Sequence, residues 1–137
     1  MTRLLFAFSI VIGLVSPVAA ASPEGVWEIE MRDSRYEVRL CGDDGKQLCA
    51  TLIWLGNGAD NEENLPYLNT LLIDHAKPVG PGKWEGELSI YGQKAGGKIT
   101  QVSDDQIAIE GCVAWVICRT YQMYRYTDGP NDASPSS

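Results

Sequence analysis

The sequence has little of what catalysis needs. His75 is the sole histidine among 137 residues, and no Gly-x-Ser-x-Gly run occurs. A nucleophile, an adjacent base and the group that orients that base therefore do not assemble from any recognisable motif. Asp74 precedes His75, but neighbours on a strand face opposite sides, so the two read as separate. Glu85 and Glu87 share a face, yet their alternation with Trp84 and Leu88 places them on the solvated side, where like charges only repel. Metal-ligand spacing is also missing: none of the four cysteines forms Cys-x-x-Cys, and His75 is the sole imidazole, so the usual zinc-ligand patterns are not met. Basic residues are few, 11 against 18 acidic ones for a formal net charge of −7. That balance argues against nucleic acid and anionic membrane as partners. The sequence shows neither a long helical period nor an internal repeat. The expectation is a protein that is not an enzyme and that needs no cofactor or metal.

What is present begins with a targeting pattern. Arg3 supplies a positive start, Leu4 to Val15 is apolar except for Ser9 and Gly13, and Pro17 precedes Val18-Ala19-Ala20 with Ala21 following. This predicts a signal peptide over 1–20, cleaved after Ala20. The apolar stretch falls short of the ~20 residues that a bilayer-spanning helix needs. No cysteine stands at the cleavage site to carry a lipid. The expected location is periplasmic or secreted, with no membrane span after cleavage. Cys41, Cys49, Cys112 and Cys118 agree with export, because close pairs become disulfides in an oxidising compartment. Four cysteines admit three connectivities. Local pairing, Cys41 with Cys49 and Cys112 with Cys118, is the preferred one, since Gly42-Asp43-Asp44-Gly45 reads as a hairpin tip between the first two.

From Gly25 onward, short alternating stretches are separated by turn residues. Trp27, Ile29 and Met31 alternate with Glu28, Glu30 and Arg32; Tyr36, Val38 and Leu40 alternate with Glu37 and Arg39. Leu48 to Leu55 is apolar on both faces, the pattern of a covered strand. Further strands are predicted at Leu71 to Ala76, Trp84 to Ile90, Lys98 to Val102, Ile107 to Gly111 and Ile117 to Tyr126, with Pro78 to Gly82 and Gly92 to Gly97 as connections. Near 57–70 the rhythm breaks. Asp60, Glu62, Glu63 and Asn64 lack the glycine and distal glutamate of an EF-hand loop, so they read as a solvated acidic loop. Asn64 would cap a short helix with Pro66 in its first turn; an irregular lid is the alternative. About eight short strands at this spacing mean an all-β domain over 21–128, either an up-and-down barrel or a sandwich. Residues 129–137, rich in Gly, Pro, Ser and Asn, read as a disordered tail.

A set of motifs decides between the two architectures by resemblance. Gly25-x-Trp27, Leu40-Cys41-Gly42, Leu48-Cys49-Ala50, Ile53-Trp54-Leu55 and Asp60-x-x-x-Asn64 occur in that order. Gly82-Lys83-Trp84-x-Gly86, Gly111-Cys112-Val113 and Arg119-Thr120 with a closing Arg125 follow. Together they resemble the bacterial domain-of-unknown-function family 2147, small exported proteins with a lipocalin-like (calycin) barrel. The resemblance spans about Gly25 to Arg125, and the Cys112 and Cys118 pair stands outside the family pattern. It implies a single antiparallel up-and-down barrel of about eight strands, with one short helix or irregular loop near 57–70. In such barrels the Gly-x-Trp opens the first strand, and its indole packs under an arginine of the last strand. Arg119 is the first candidate for that arginine and Arg125 the second.

An eight-stranded barrel is only just wide enough either to be filled by its own side chains or to hold one small ligand. Four Trp and six Tyr supply aromatic lining. The candidate cavity residues are Trp27, Tyr36, Trp54, Trp84, Arg119 and Tyr121, with Trp115, Tyr91 and Tyr124 in the wider set. The expected function is the binding of a small apolar or amphipathic molecule inside the barrel. The alternative is a non-catalytic interaction or inhibitor protein of the cell envelope, acting through its acidic surface on a protein partner.

Overall fold

In the computed structural model, residues 10, 12–13, 21–114 and 116–127 are described. Alternation along the chain produces eight strands: β1 (Gly25–Ile29), β2 (Ser34–Cys41), β3 (Gln47–Leu55), β4 (Leu71–Gly80), β5 (Lys83–Ile90), β6 (Gln93–Ser103), β7 (Gln106–Val113) and β8 (Ile117–Arg125). Each pairs antiparallel with the next, and β1 also pairs with β8, so the sheet closes as an up-and-down barrel. Closure gives every backbone edge a partner. The sandwich alternative is thereby excluded. The expected signal peptide over 1–20 and tail over 129–137 lie outside the described residues, apart from isolated positions near the start. Among the described residues no helix is long and apolar enough to cross a membrane.

The inward residues form one core. Trp27, Val38, Leu48, Ala50, Ile73, Ala76, Leu88, Ile99, Ile107 and Met123 are almost fully removed from solvent. Up-and-down order gives the barrel two distinct ends. The β2–β3, β4–β5 and β6–β7 turns and both chain termini of the barrel lie at one end. The β1–β2, β5–β6 and β7–β8 turns, with the long 56–70 connection, lie at the other.

Several boundaries differ from the sequence expectation, each for a visible reason. β6 starts at Gln93 rather than near Lys98, so Gly96 and Gly97, read as part of a loop, belong to a strand while Gly92 stays in the turn. A Cβ on Gly97 would sit 2.5 Å from Leu88 Cγ; the missing side chain makes room for a core leucine. β4 continues to Gly80, carrying Pro78 within it, past a register shift between Ile73 and Lys77. His75 takes a positive φ of 54° in that irregular stretch. Its Nδ1 consequently lies 2.5 Å from Asp74 Oδ1, although regular strand geometry would separate the two side chains. Both groups are exposed.

The 57–70 segment holds a single 3₁₀ turn, Leu65–Tyr67, with Pro66 in its first turn. Asn64 does not cap it: its side-chain amide donates to the Ala59 carbonyl at 3.0 Å, while Asn61 Oδ1 accepts the Asn64 backbone N–H at 2.9 Å. Both local disulfides are formed, Cys41–Cys49 and Cys112–Cys118. They bracket the β2–β3 and β7–β8 hairpins, one at each end of the barrel. The two side-chain groupings with metal-ligand proximity, Cys41 with Cys49 and His75 and Glu110 with Cys112 and Cys118, each contain one of these oxidised pairs. Their sulfurs are bonded to each other and not free thiolates.

Candidate functional site

One end of the barrel is sealed. Trp27 is wholly buried on β1, and its indole N–H donates to the Pro23 carbonyl at 2.8 Å. The Arg125 guanidinium lies 4.4 Å over the indole ring. Its nitrogens donate to three backbone carbonyls, Asp104 at 2.8 Å, Glu24 at 2.8 Å and Ser22 at 3.0 Å. One cation thus ties β8 to the β6–β7 turn and to the strap before β1. A Cβ on Gly25 would come within 2.8 Å of Arg125 Nη1, and Gly25 has φ 138°. The Gly-x-Trp opening is therefore a steric requirement of the seal. This arginine is the second sequence candidate; Arg119, the first, stands exposed near the β7–β8 turn, opposite Gly111. The reason is register: Arg125 pairs with Trp27 across β1 and β8, whereas Arg119 lies six residues away toward the other end.

Trp84 also belongs to the sealed end. It is buried, and its indole N–H donates to the Lys46 carbonyl of the β2–β3 turn at 3.0 Å. Trp54 leaves the interior altogether. Arg35 pairs with Trp54 but Tyr36 with Leu52, so Ile53 is an extra residue in β3 and the indole turns outward. There Arg35 is held between the Trp54 and Tyr126 rings, 3.9 and 3.8 Å from their centres, and its Nε bonds Glu28 at 2.8 Å. The outer side of the Leu48 to Leu55 strand is only partly covered: Cys49 is buried in its disulfide and Trp54 packs on Arg35, while Ile53 is exposed. Tyr124 is exposed, and Trp115 lies outside the described residues.

The opposite end is open. A cavity of about 120 Å³ lies between Ile29, Leu72, Leu88, Ile90 and Ile109, with Tyr36, Tyr91 and Tyr121 around it and Met31, Asp33 and Ser34 at its lip. A smaller hollow of about 20 Å³ adjoins it beneath Tyr67, sharing Tyr36, Leu72, Ile90 and Tyr91. Of the cavity residues expected from the sequence, the structure brings together Tyr36 and Tyr121. It places Trp27 and Trp84 at the far end, Trp54 outside, and Arg119 beyond the lining. The lining is thus tyrosine and aliphatic, with no tryptophan among its described members.

Burial pushes the Tyr36 phenol from its usual 10 up to about 12; a hydrogen bond from Ser34 opposes this, and Tyr91, Asp33 and Tyr121 add to the rise. Burial also raises Tyr91, with Asp33 contributing. The phenols are therefore neutral hydrogen-bonding groups at ordinary pH. Tyr91 sits in the β5–β6 turn at φ 46°, with Gly92 at φ 80°. Its ring meets Tyr67 edge-on at 5.9 Å, linking the 56–70 connection to the cavity wall. Asp33 and Ser34 are polar members of the lining that the sequence did not single out. No local pattern marks them, because their role arises from β1–β2 turning at the mouth.

The mouth rim is apolar on one side. Val116 and Ile117 stand 83% and 72% exposed at the β7–β8 turn, beside the Cys112–Cys118 disulfide. Such exposure of large aliphatic groups is uncommon on a surface without a partner or ligand nearby.

Comparison with known proteins adds the fold and stops there. No protein-family model matches the chain, and no curated protein does. Among solved structures it is similar to protein HP1028 from the human pathogen Helicobacter pylori, which is described as belonging to the lipocalin family. The TM-score is 0.61 at 14% identity, over 80% of this chain and 86% of that one. The chain is a closed eight-stranded antiparallel barrel of lipocalin-like fold, sealed at one end by Trp27 and Arg125 and hollow at the other.

Proposed function

We propose that this protein is an exported, non-catalytic binding protein that takes a small amphipathic molecule into the open end of its barrel. The observation that carries the reading is the cavity of about 120 Å³ at the mouth, apolar within and polar at the lip. An apolar cavity of roughly 150 Å³ is enough for benzene. The space therefore suits one ring or a short chain, with the remainder of the molecule emerging at Asp33, Ser34 and the tyrosine hydroxyls. Two disulfides and the sequence's signal-peptide pattern support a periplasmic or secreted location. The lipocalin-like fold is consistent with carrying a small ligand, although a fold by itself does not set function. The Gly25-x-Trp27 seal and the ordered motifs through Arg125 support membership of domain-of-unknown-function family 2147.

The test is native mass spectrometry of the mature protein isolated from the cell envelope, against an Ile109→Phe variant that fills the cavity. An added mass that vanishes on denaturation, and that the variant lacks, is the expected result. A bare mass from both proteins would contradict the reading and favour a protein partner at the acidic surface. The denatured mass reports the cleavage site in the same experiment.

A further inference from the structure

The lip of the cavity carries one sign of charge. Asp33 is its single ionisable acid, and no lysine, arginine or histidine lines the space. Among the described residues Asp33 has no ion-pair partner. Each nearby cation is engaged elsewhere or stands apart: Arg32 and Arg35 bond Glu28 on the outer face, at 3.2 and 2.8 Å, and Lys94 bonds Glu87 at 3.1 Å. Arg119 stands exposed near the β7–β8 turn and is not part of the lining. Tyr36, Tyr91 and Tyr121 line the same cavity, and the Asp33 charge is near enough to Tyr36 and Tyr91 to help raise both phenols.

We infer that the ligand is a small organic cation, an apolar ring or short chain bearing an ammonium group that docks on Asp33 among the tyrosines. The inference rests on the cavity being the binding site. A carboxylate supplies the charge-assisted hydrogen bond that an ammonium donates, and aromatic faces attract a cation further. Electroneutral or anionic head groups would find no matching donor of positive charge in the lining. The burial of the tyrosines strengthens the preference, since half-desolvated rings and carboxylate act through a less screening medium than water. The formal net charge of −7 favours the approach of a cation to the whole molecule. The apolar floor of Ile29, Leu88 and Ile109 requires that the cation have a hydrophobic body, which sets it apart from ammonium or a metal ion.

The experiment compares three probes of one shape: benzylammonium, benzyl alcohol and benzoate, titrated into the mature protein by calorimetry. Benzylammonium should bind about tenfold more tightly than the alcohol, with benzoate weakest. In Asp33→Asn, which keeps the backbone carbonyl that accepts Gly56 N–H at 3.0 Å, that preference should shrink to about twofold, through weaker binding of benzylammonium. A thermal melt of the variant checks that it folds. Alcohol or benzoate binding as tightly as benzylammonium, or a preference that survives Asp33→Asn, overturns the cation inference and leaves the cavity reading standing. No saturable binding of any probe overturns both.

Discussion

The two ends of this barrel are built from similar materials to opposite purposes. Each combines aromatic rings, one charged side chain and a disulfide-stapled hairpin. At the sealed end the charge is Arg125, whose three hydrogen bonds all go to backbone carbonyls of the protein itself, with the Asp105 carboxylate 3.8 Å away. At the mouth the charge is Asp33, which lines the cavity with three tyrosines and has no ion-pair partner among the described residues. The difference teaches how an interior this narrow divides labour. A satisfied polar group contributes stability, because its desolvation is repaid by bonds already in place. An unsatisfied one at a hollow is a surface waiting for a complementary group. Changes at Trp27 or Arg125 should therefore alter stability and leave affinity alone, while a change at Asp33 should do the reverse.

The sharpest break of the comparison is Trp27→Ala. Removing a fully buried indole from beneath Arg125 should cost about 4 kcal/mol, read by urea unfolding. Next come the two disulfides, whose sequence separations of 8 and 6 residues are close. The chain-entropy contribution of each is roughly 2–3 kcal/mol. Replacing Cys41 and Cys49 by serine should nonetheless cost more than replacing Cys112 and Cys118, because Cys49 is fully buried and a serine there brings an unpaired hydroxyl inside. Equal losses in urea unfolding would show that the ends are alike in this respect. A mild reductant should open Cys112–Cys118 first, as its hairpin is the more exposed, and mass mapping of alkylated cysteines would reveal the order.

A smaller effect comes from pH. Tyr36 has a folded pKa of about 12 against roughly 10 for an unfolded tyrosine. Its neutral form is the one that the fold favours, so the associated stability is present below pH 10 and lost as pH rises toward 12. At pH 11 the wild type should have lost about 1 kcal/mol more than Tyr36→Phe, each measured relative to pH 8 by urea unfolding. The smallest change in stability is expected for Asp33→Asn, under about 0.5 kcal/mol, although its effect on the selectivity of the mouth is large. A substantial loss of stability in that variant would mean that Asp33 serves the fold and not a ligand.

Alternation made about eight strands readable, and the family resemblance pointed to the closed end. Trp27, with Gly25 two residues before it, announces the seal because the packing of an arginine on that indole leaves no room for a Cβ. Which arginine packs there was less readable. Arg119 and Arg125 are six apart on one strand, and only the pairing of β8 with β1 chooses between them. Trp54 misled for a related reason. One extra residue in β3 reversed its face, and a bulge leaves no mark in a run that is apolar on both sides. The glycines at 92–97 suggested a loop, since the value of Gly97 lies in the space that it yields to Leu88 across the sheet. The mouth was the least legible region. Tyr36 and Tyr121 carried an aromatic hint, but Asp33 joins them only through a turn, and hollowness is a property of packing that no single residue expresses.

The central claim is that the mouth, and not the sealed end, accepts a small molecule. The most direct measurement is a titration of the mature, isotope-labelled protein with benzyl alcohol, followed by amide resonances across the whole barrel. The account predicts saturable shifts concentrated at Ile29, Asp33, Tyr36, Ile109 and Tyr121, with Trp27, Trp84 and Arg125 still. Shifts centred on the sealed end, or none that saturate, would contradict it.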